Sequence, residues 1–292
     1  MANLRLLVKR RKAVRNIRKI TKTMELIATA RFKKALDRAT EAEAYTKKIA
    51  ELAADLSQSA GEVSHPLLAV RPKVQKVLLL VCTSNRGLCG GYNGGILREA
   101  QAKIRQLRAD GVPFDLEVSG RRGATFFKFQ GVPMAAQYQQ FEDKPAFEQV
   151  DEIAQKYIDL YVGGKVDAVY VCYQKFVTAS RQTPVVEQLL PLASVPTAAT
   201  TAAAGPKADY EFLPDATEIL NNLVPVAFKV RLFKCFLDAA VSEQIARRVA
   251  MKAATENAGD LIKEISREYN RTRQANITKE ISELIAGSEA LK

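Results

Sequence analysis

Arg11–Ala42 reads RKAVRNIRKITKTMELIATARFKKALDRATEA, and this stretch decides the fold. No proline or glycine interrupts it, and none occurs anywhere in residues 1–58. Apolar or small residues recur at steps of three and four: Val14, Ile17, Thr21, Met24 and Ala28, then Phe32, Ala35, Ala39, Ala42, Thr46, Ile49, Ala53 and Leu56. Such spacing predicts one narrow stripe along a long helix. The stripe is rich in alanine, so a partner helix can approach closely. Gly61 and the Ser64-His65-Pro66 segment are expected to end it.

The far end of the chain mirrors this pattern. Between Val226 and Ala286 there is one glycine, Gly259, and no proline. Val230, Phe233, Leu237, Val241, Ile245 and Val249 form a stripe that Ala258, Ile262, Ile265 and Tyr269, then Ile277, Ile281 and Leu284, continue. Pro225 is expected to kink or interrupt the chain, and Asp215 to cap a preceding turn. At about 1.5 Å per residue each terminal helix is roughly 80–90 Å long, too long for burial in one compact core. Two narrow stripes at opposite chain ends bury one another most simply as an antiparallel coiled coil.

The middle has another period. Val77–Cys82 is a continuous apolar run, as expected of a strand covered on both faces. A glycine-rich turn follows, then a helix expected over Asn93–Leu107. Further strands are expected at Phe114–Val118, Asp167–Tyr173 and Pro184–Leu190, with helices at Gly123–Phe129 and Ala146–Tyr161. Alternating strands and helices predict an α/β domain with a largely parallel sheet. The stretch Gln188–Pro206 carries no charge, but its prolines and threonines mark a strand end and a loop over residues 194–208, not a membrane span.

Of the net charge of +12, residues 1–60 hold 15 Lys/Arg against 6 Asp/Glu, while residues 207–292 hold 13 of each. A basic segment this dense attracts an anionic partner: nucleic acid, anionic lipid or an acidic protein surface. Only Phe32 supplies an aromatic ring in residues 1–40, which weakens the nucleic-acid reading, although phosphate contacts need only Lys and Arg. The four cysteines are scattered and there is one histidine, so neither a disulfide framework nor a zinc site is expected. Scattered cysteines fit a reducing compartment.

Ser84–Gly95 is the one turn with the outline of a phosphate cradle. It lacks GxxxxGK[ST], and it lacks GxGxxG with a following acid, so a tight strand-to-helix turn is the expected role. Cys89 within it has no histidine nearby in sequence to activate it; His65 precedes a proline. No paired carboxylates suggest glycosidase or metal chemistry. No catalytic residue, cofactor or metal is expected. Three readings stay open on the residues alone: a mechanical or structural protein, a nucleic-acid binder using the basic helix, and a nucleotide-dependent enzyme using the glycine turn.

Several segments carry a family resemblance. Ile17–Ala28, IRKITKTMELIA, resembles the N-terminal signature of the γ subunit of rotary proton-translocating ATP synthases. Gly87–Asn93, GLCGGYN, is similar to that family's central loop, and Gln188–Leu192 to a further segment. Ser242–Gly259 and Tyr269–Glu280 resemble its C-terminal helix. The resemblance covers essentially the whole chain, in order. It implies a shaft made of both terminal helices and a base made of a central Rossmann-like α/β domain, with boundaries at 1–60, 70–206 and 210–287.

What the resemblance implies is a non-catalytic rotor within the complex. The shaft would turn inside the hexamer of α and β subunits, and the base would bind the ε subunit and the c-ring. Rotation of the ring would thereby be coupled to ATP synthesis or hydrolysis. Lys19, Lys22 and Met24 match the region that faces acidic loops of the catalytic subunits. Arg247, Arg273, Gln274 and Thr278 match upper-shaft positions that contact the hexamer, and Tyr210 falls where the shaft approaches the c-ring. Leu213 stands before Pro214-Asp215 where many members carry an acid. The basic segment would then face protein, not nucleic acid, and the membrane would be met only through the complex. The first 24 residues are Arg-rich and acid-free, like a transit peptide, but the signature is under way by Ile17 and leaves no room for a leader. The expected location is the cytoplasmic face of the bacterial inner membrane.

Overall fold

The computed structural model describes residues 4–59, 65–69, 71, 73–141, 144–192 and 216–289. Tyr210, Leu213, Asp215, Gly61, Ser64 and the loop at 194–208 lie outside the described residues. Ten elements follow in order: α1 (Leu4–Ser59), β1 (Val77–Cys82), α2 (Tyr92–Ala109), β2 (Phe114–Ser119), α3 (Arg121–Phe129), β3 (Ala136–Tyr138), α4 (Phe147–Val162), β4 (Ala168–Phe176), β5 (Gln182–Leu190) and α5 (Ala216–Glu289).

The five strands form one sheet in the order β3-β2-β1-β4-β5. Every pair is parallel except β4 with β5, which is antiparallel. β1 is central and buried along its whole length. Its alternate residues split between two cores. Leu78, Leu80 and Cys82 pack with α4 and with Phe228 and Leu232 of α5, while Leu79 and Val81 pack with α2 and α3. Period-two alternation on a strand covered on both sides explains the uninterrupted apolar run. Short β3 was not anticipated; AQY carries no apolar alternation, and it is an edge strand held by β2 alone.

Two polar clusters tie these layers together. Glu117 of β2 is buried and accepts from the hydroxyls of Tyr138 and Tyr157, each at 2.7 Å, and from Lys156. Burial first, then the Glu117 carboxylate, push the Tyr138 phenol up to about 12. Asp167, just before β4, accepts from the backbone N–H of Gln75 and Lys76 and from Arg71. Burial alone would raise its pKa, but these donors outweigh it and hold the carboxyl below its usual range.

The chain divides into two compact units, Met1–Thr29 with Arg247–Lys292, and Ala30–Ala246. The second unit takes in a length of each terminal helix because those lengths join its core. Ala35 and Ala39 of α1 pack with Leu237, Val241 and Ile245 of α5, against Phe176 of β4. In the first unit Leu7 and Val14 pack with Ala258, Ile262, Ile265 and Tyr269. Arg11 lies over the Tyr269 ring and Thr21 bonds to Thr255, so the two segments run antiparallel.

Pro225 does not break α5. The helix starts upstream at Ala216 and runs for 74 residues, with Pro225 inside it. One missing N–H is outweighed by anchorage of the flanking Val224 and Phe228 in the sheet core. The helix is therefore about 110 Å long, beyond the 80–90 Å expected from sequence. The α1 stripe also differs from its expected course. Leu7, Val14, Ala28 and Ala35 are buried and Thr21 half-buried, one every seven residues, whereas Ile17 is 52% exposed. On α5 the same interval links buried Leu237, Gln244, Met251, Ala258 and Ile265, and Val249 is exposed.

Candidate partner-contact surface

The first unit presents the basic segment. Its α1 portion, Leu4–Thr29, holds nine Lys or Arg and one acid, Glu25. Helical geometry cannot hide so many cations on one buried stripe, so most project outward. Lys12, Arg15, Arg18, Lys19 and Lys22 line a groove of about 1090 Å³ whose floor includes Thr255 and Ile262 of α5. Lys22 pairs with Glu25 at 3.0 Å along the same helix. An exposed pair of this kind contributes little to stability and leaves the groove strongly positive.

The structure brings Lys19 and Lys22 together in that groove, whereas Met24, half-buried and two residues past Lys22, does not line it. Arg273, Gln274 and Thr278 are exposed near the end of α5. The Thr278 hydroxyl donates to the Gln274 carbonyl at 3.0 Å, which leaves the Arg273 guanidinium and the Gln274 amide as the outward groups. Arg247 stands apart from these positions, since it is only 7% exposed.

Sequence periodicity assigned Ile277, Ile281 and Leu284 to the buried stripe, and the structure places them at the surface, with Leu284 74% exposed. Arg11 lies over Tyr269 and Thr21 bonds to Thr255, so in this antiparallel pair Leu4, the first described residue of α1, falls short of Ile281 and Leu284. The apolar stripe thus outruns its partner. Exposed Ile17, Ile20, Leu26 and Ile27 on α1 add to the apolar surface of this unit. The signal for such a surface was an apolar repeat longer than the helix available to cover it.

The glycine-rich turn is filled by its own chain. Ser84 N–H donates to Asn93 Oδ1 at 3.0 Å, and Asn93 Nδ2 reaches Cys89 Sγ at 3.2 Å. Asn85 joins three loops: its amide donates to the carbonyls of Gln139 and Phe141, and its Oδ1 accepts from Arg121 N–H. Thr83 Oγ1 accepts from Gly123 N–H. These bonds occupy the ends of β1 and β2, where an α/β sheet would otherwise hold a phosphate. Cys89 is buried, and His65 Nδ1 accepts from Leu67 N–H instead of facing a thiol. Among the described residues no helix is long and apolar enough to cross a membrane.

The long paired helices, the mixed sheet and the surface of cations and uncovered aliphatics define a subunit built to be held by other chains. The family model described as ATP synthase matches residues 3–291. An ATP synthase gamma chain of Rhodopirellula baltica is 52% identical over the full length of both chains, and one of Leptospira biflexa is 39% identical, also end to end. Among solved structures, a chain from the Euglena gracilis mitochondrial ATP synthase OSCP/F1/c-ring assembly shares the fold, with a TM-score of 0.67 at 17% identity over 99% of this chain and 94% of that one. This chain belongs to the ATP synthase gamma-chain family.

Proposed function

We propose that the chain is the central-stalk rotor of a proton-translocating ATP synthase and has no active site of its own. It couples rotation of the membrane c-ring to ATP synthesis or hydrolysis on the catalytic subunits. End-to-end identity with gamma chains carries the reading, and the geometry supplies its mechanics. Lys19, Lys22 and Met24 meet acidic loops of the α/β hexamer, and the exposed aliphatics Ile277, Ile281 and Leu284 fit an apolar lining in the same partner. Arg273 and Gln274 hydrogen-bond to the hexamer around that lining, and Thr278, whose hydroxyl donates within its own helix, contacts it beside them. The basic segment accordingly faces protein, not nucleic acid. The ε subunit and the c-ring bind the α/β base, with Tyr210 on the ring side.

Such a rotor changes nucleotide affinity through differential contacts. Each catalytic subunit meets a different side of an asymmetric helix pair, so rotation shifts the conformational populations of three sites in turn. The chain works at the cytoplasmic face of the bacterial inner membrane, attached through the complex. Mixing it with the α and β head subunits should yield a stable assembly with ATPase activity. Failure to co-assemble would remove the rotor reading.

A further inference from the structure

A rotor must pass load between its α/β layers and a helix without letting the helix spin in its seat. Phe228, Leu232, Cys235 and Phe236 bury one face of α5 in the sheet core. Close packing of these side chains resists a turn of α5 about its axis, and directional bonds at the edges of the buried face add to that resistance. Two ion pairs flank that buried face. Lys229 Nζ lies 2.9 Å from Asp151 Oδ1 of α4. Arg231 donates to Glu187 Oε1 of β5 at 2.7 Å, and Glu187 also accepts from the Tyr173 hydroxyl at 2.8 Å.

Lys229 and Arg231 are two residues apart, hence about 200° apart around the helix axis, with the buried face between them. Turning α5 in either sense stretches one pair as it crowds the other. Two further bonds lie along the same length of helix: Tyr92 of α2 donates to the Ala239 carbonyl at 3.2 Å, and Ser242 donates to the Gln174 carbonyl of β4 at 3.1 Å. Four different elements of the α/β layers therefore grip α5 through directional bonds.

We propose that Lys229 and Arg231 are positioning residues that key α5 into the α/β layers and so carry the rotor's torque across that junction. The inference rests on the rotor reading. In the assembled complex with its membrane sector, Lys229→Asp and Arg231→Met should leave ATP hydrolysis near wild type. Proton pumping per ATP hydrolysed should fall several-fold. The exchange Lys229→Asp with Asp151→Lys should restore pumping, which loss of folding alone would not predict. If a single variant fails to assemble, the exchange pair decides: recovered assembly with recovered pumping supports the key, and recovered assembly without pumping overturns it. Unchanged pumping per ATP in both single variants also overturns it. A wild-type complex that hydrolyses ATP but never pumps takes down the rotor reading itself.

Discussion

The hydroxyl of Thr255 lies 2.8 Å from that of Thr21, joining α5 to α1 in the first unit. Thr21 passes the chain on to the Arg18 carbonyl at 3.1 Å. Thr21 occupies the seven-residue interval between Val14 and Ala28, so a polar contact replaces an apolar one at that step. Polar seam residues of this kind fix register more than they add stability. Thr21→Val or Thr255→Val alone should lower stability by about 0.5–1 kcal/mol through loss of the bond between the helices, since the hydroxyl that remains still reaches a carbonyl of its own helix, Arg18 from Thr21 or Met251 from Thr255. The double valine variant should recover most of that loss. A double-mutant cycle by denaturant unfolding measures the coupling, and additive losses would rule it out.

Gly120 closes the approach of β2 to the Thr83 loop. Its φ is +97°, and a Cβ there would fall on the Thr83 carbonyl oxygen. Gly120→Ala should therefore destabilise the chain by more than about 2 kcal/mol, through backbone strain and a clash with no flexible partner to yield. Gly111→Ala is the contrast. Its φ is also positive, at +66°, but no atom lies within 4 Å of the added carbon. Thermal unfolding of the two variants should rank them in that order.

Asp167 gives the chain a defined acid response. Folding lowers its pKa below the ordinary aspartate value of 3.8. Its contribution is therefore complete above that value and fades as pH falls through the lower, folded pKa. Asp167→Asn should cost about 2 kcal/mol at neutral pH, the scale of hydrogen bonds to a charged group. The gap to wild type should narrow as the medium is acidified below the unfolded pKa. A gap that stays constant with pH would exclude the ionised carboxylate as its source.

The cationic groove predicts a salt response. Replacing Lys19 and Lys22 by glutamine should weaken attachment to the α/β head and flatten its dependence on ionic strength. Stability of the isolated chain should change little, because Lys22 makes only an exposed pair and Lys19 is exposed. Sedimentation of the assembly across a salt series distinguishes the two effects.

Strand and helix order in the centre was readable because β1 is apolar on both faces and its neighbours carry clear periods. β3 was not, since three residues on an edge need no apolar alternation. Ile17 misled for a physical reason. Between Val14 and Thr21 the side chain that meets α5 is Arg18, whose Nε lies 3.7 Å from where a Cβ on Gly259 would sit, just as Arg11 lies over the Tyr269 ring one step earlier. A long cationic side chain covers apolar surface there, and the aliphatic residue faces out. Pro225 misled because anchorage on the sheet, invisible locally, outweighs one absent hydrogen bond. Lys19 and Lys22 were legible from charge density. The burial of Arg247 was not, since a charged residue carries no sign in sequence of what packs around it.

The seven-residue interval on both terminal helices has a mechanical corollary. An α-helix needs 3.6 residues per turn, so a strict repeat of seven winds two helices around each other to the left. A left-handed rope tightens when twisted one way and slackens when twisted the other. Where Leu7 and Val14 meet Ala258 and Ile265, that winding gives the helix pair a hand, so the sides it offers to a surrounding partner are not mirror images of one another.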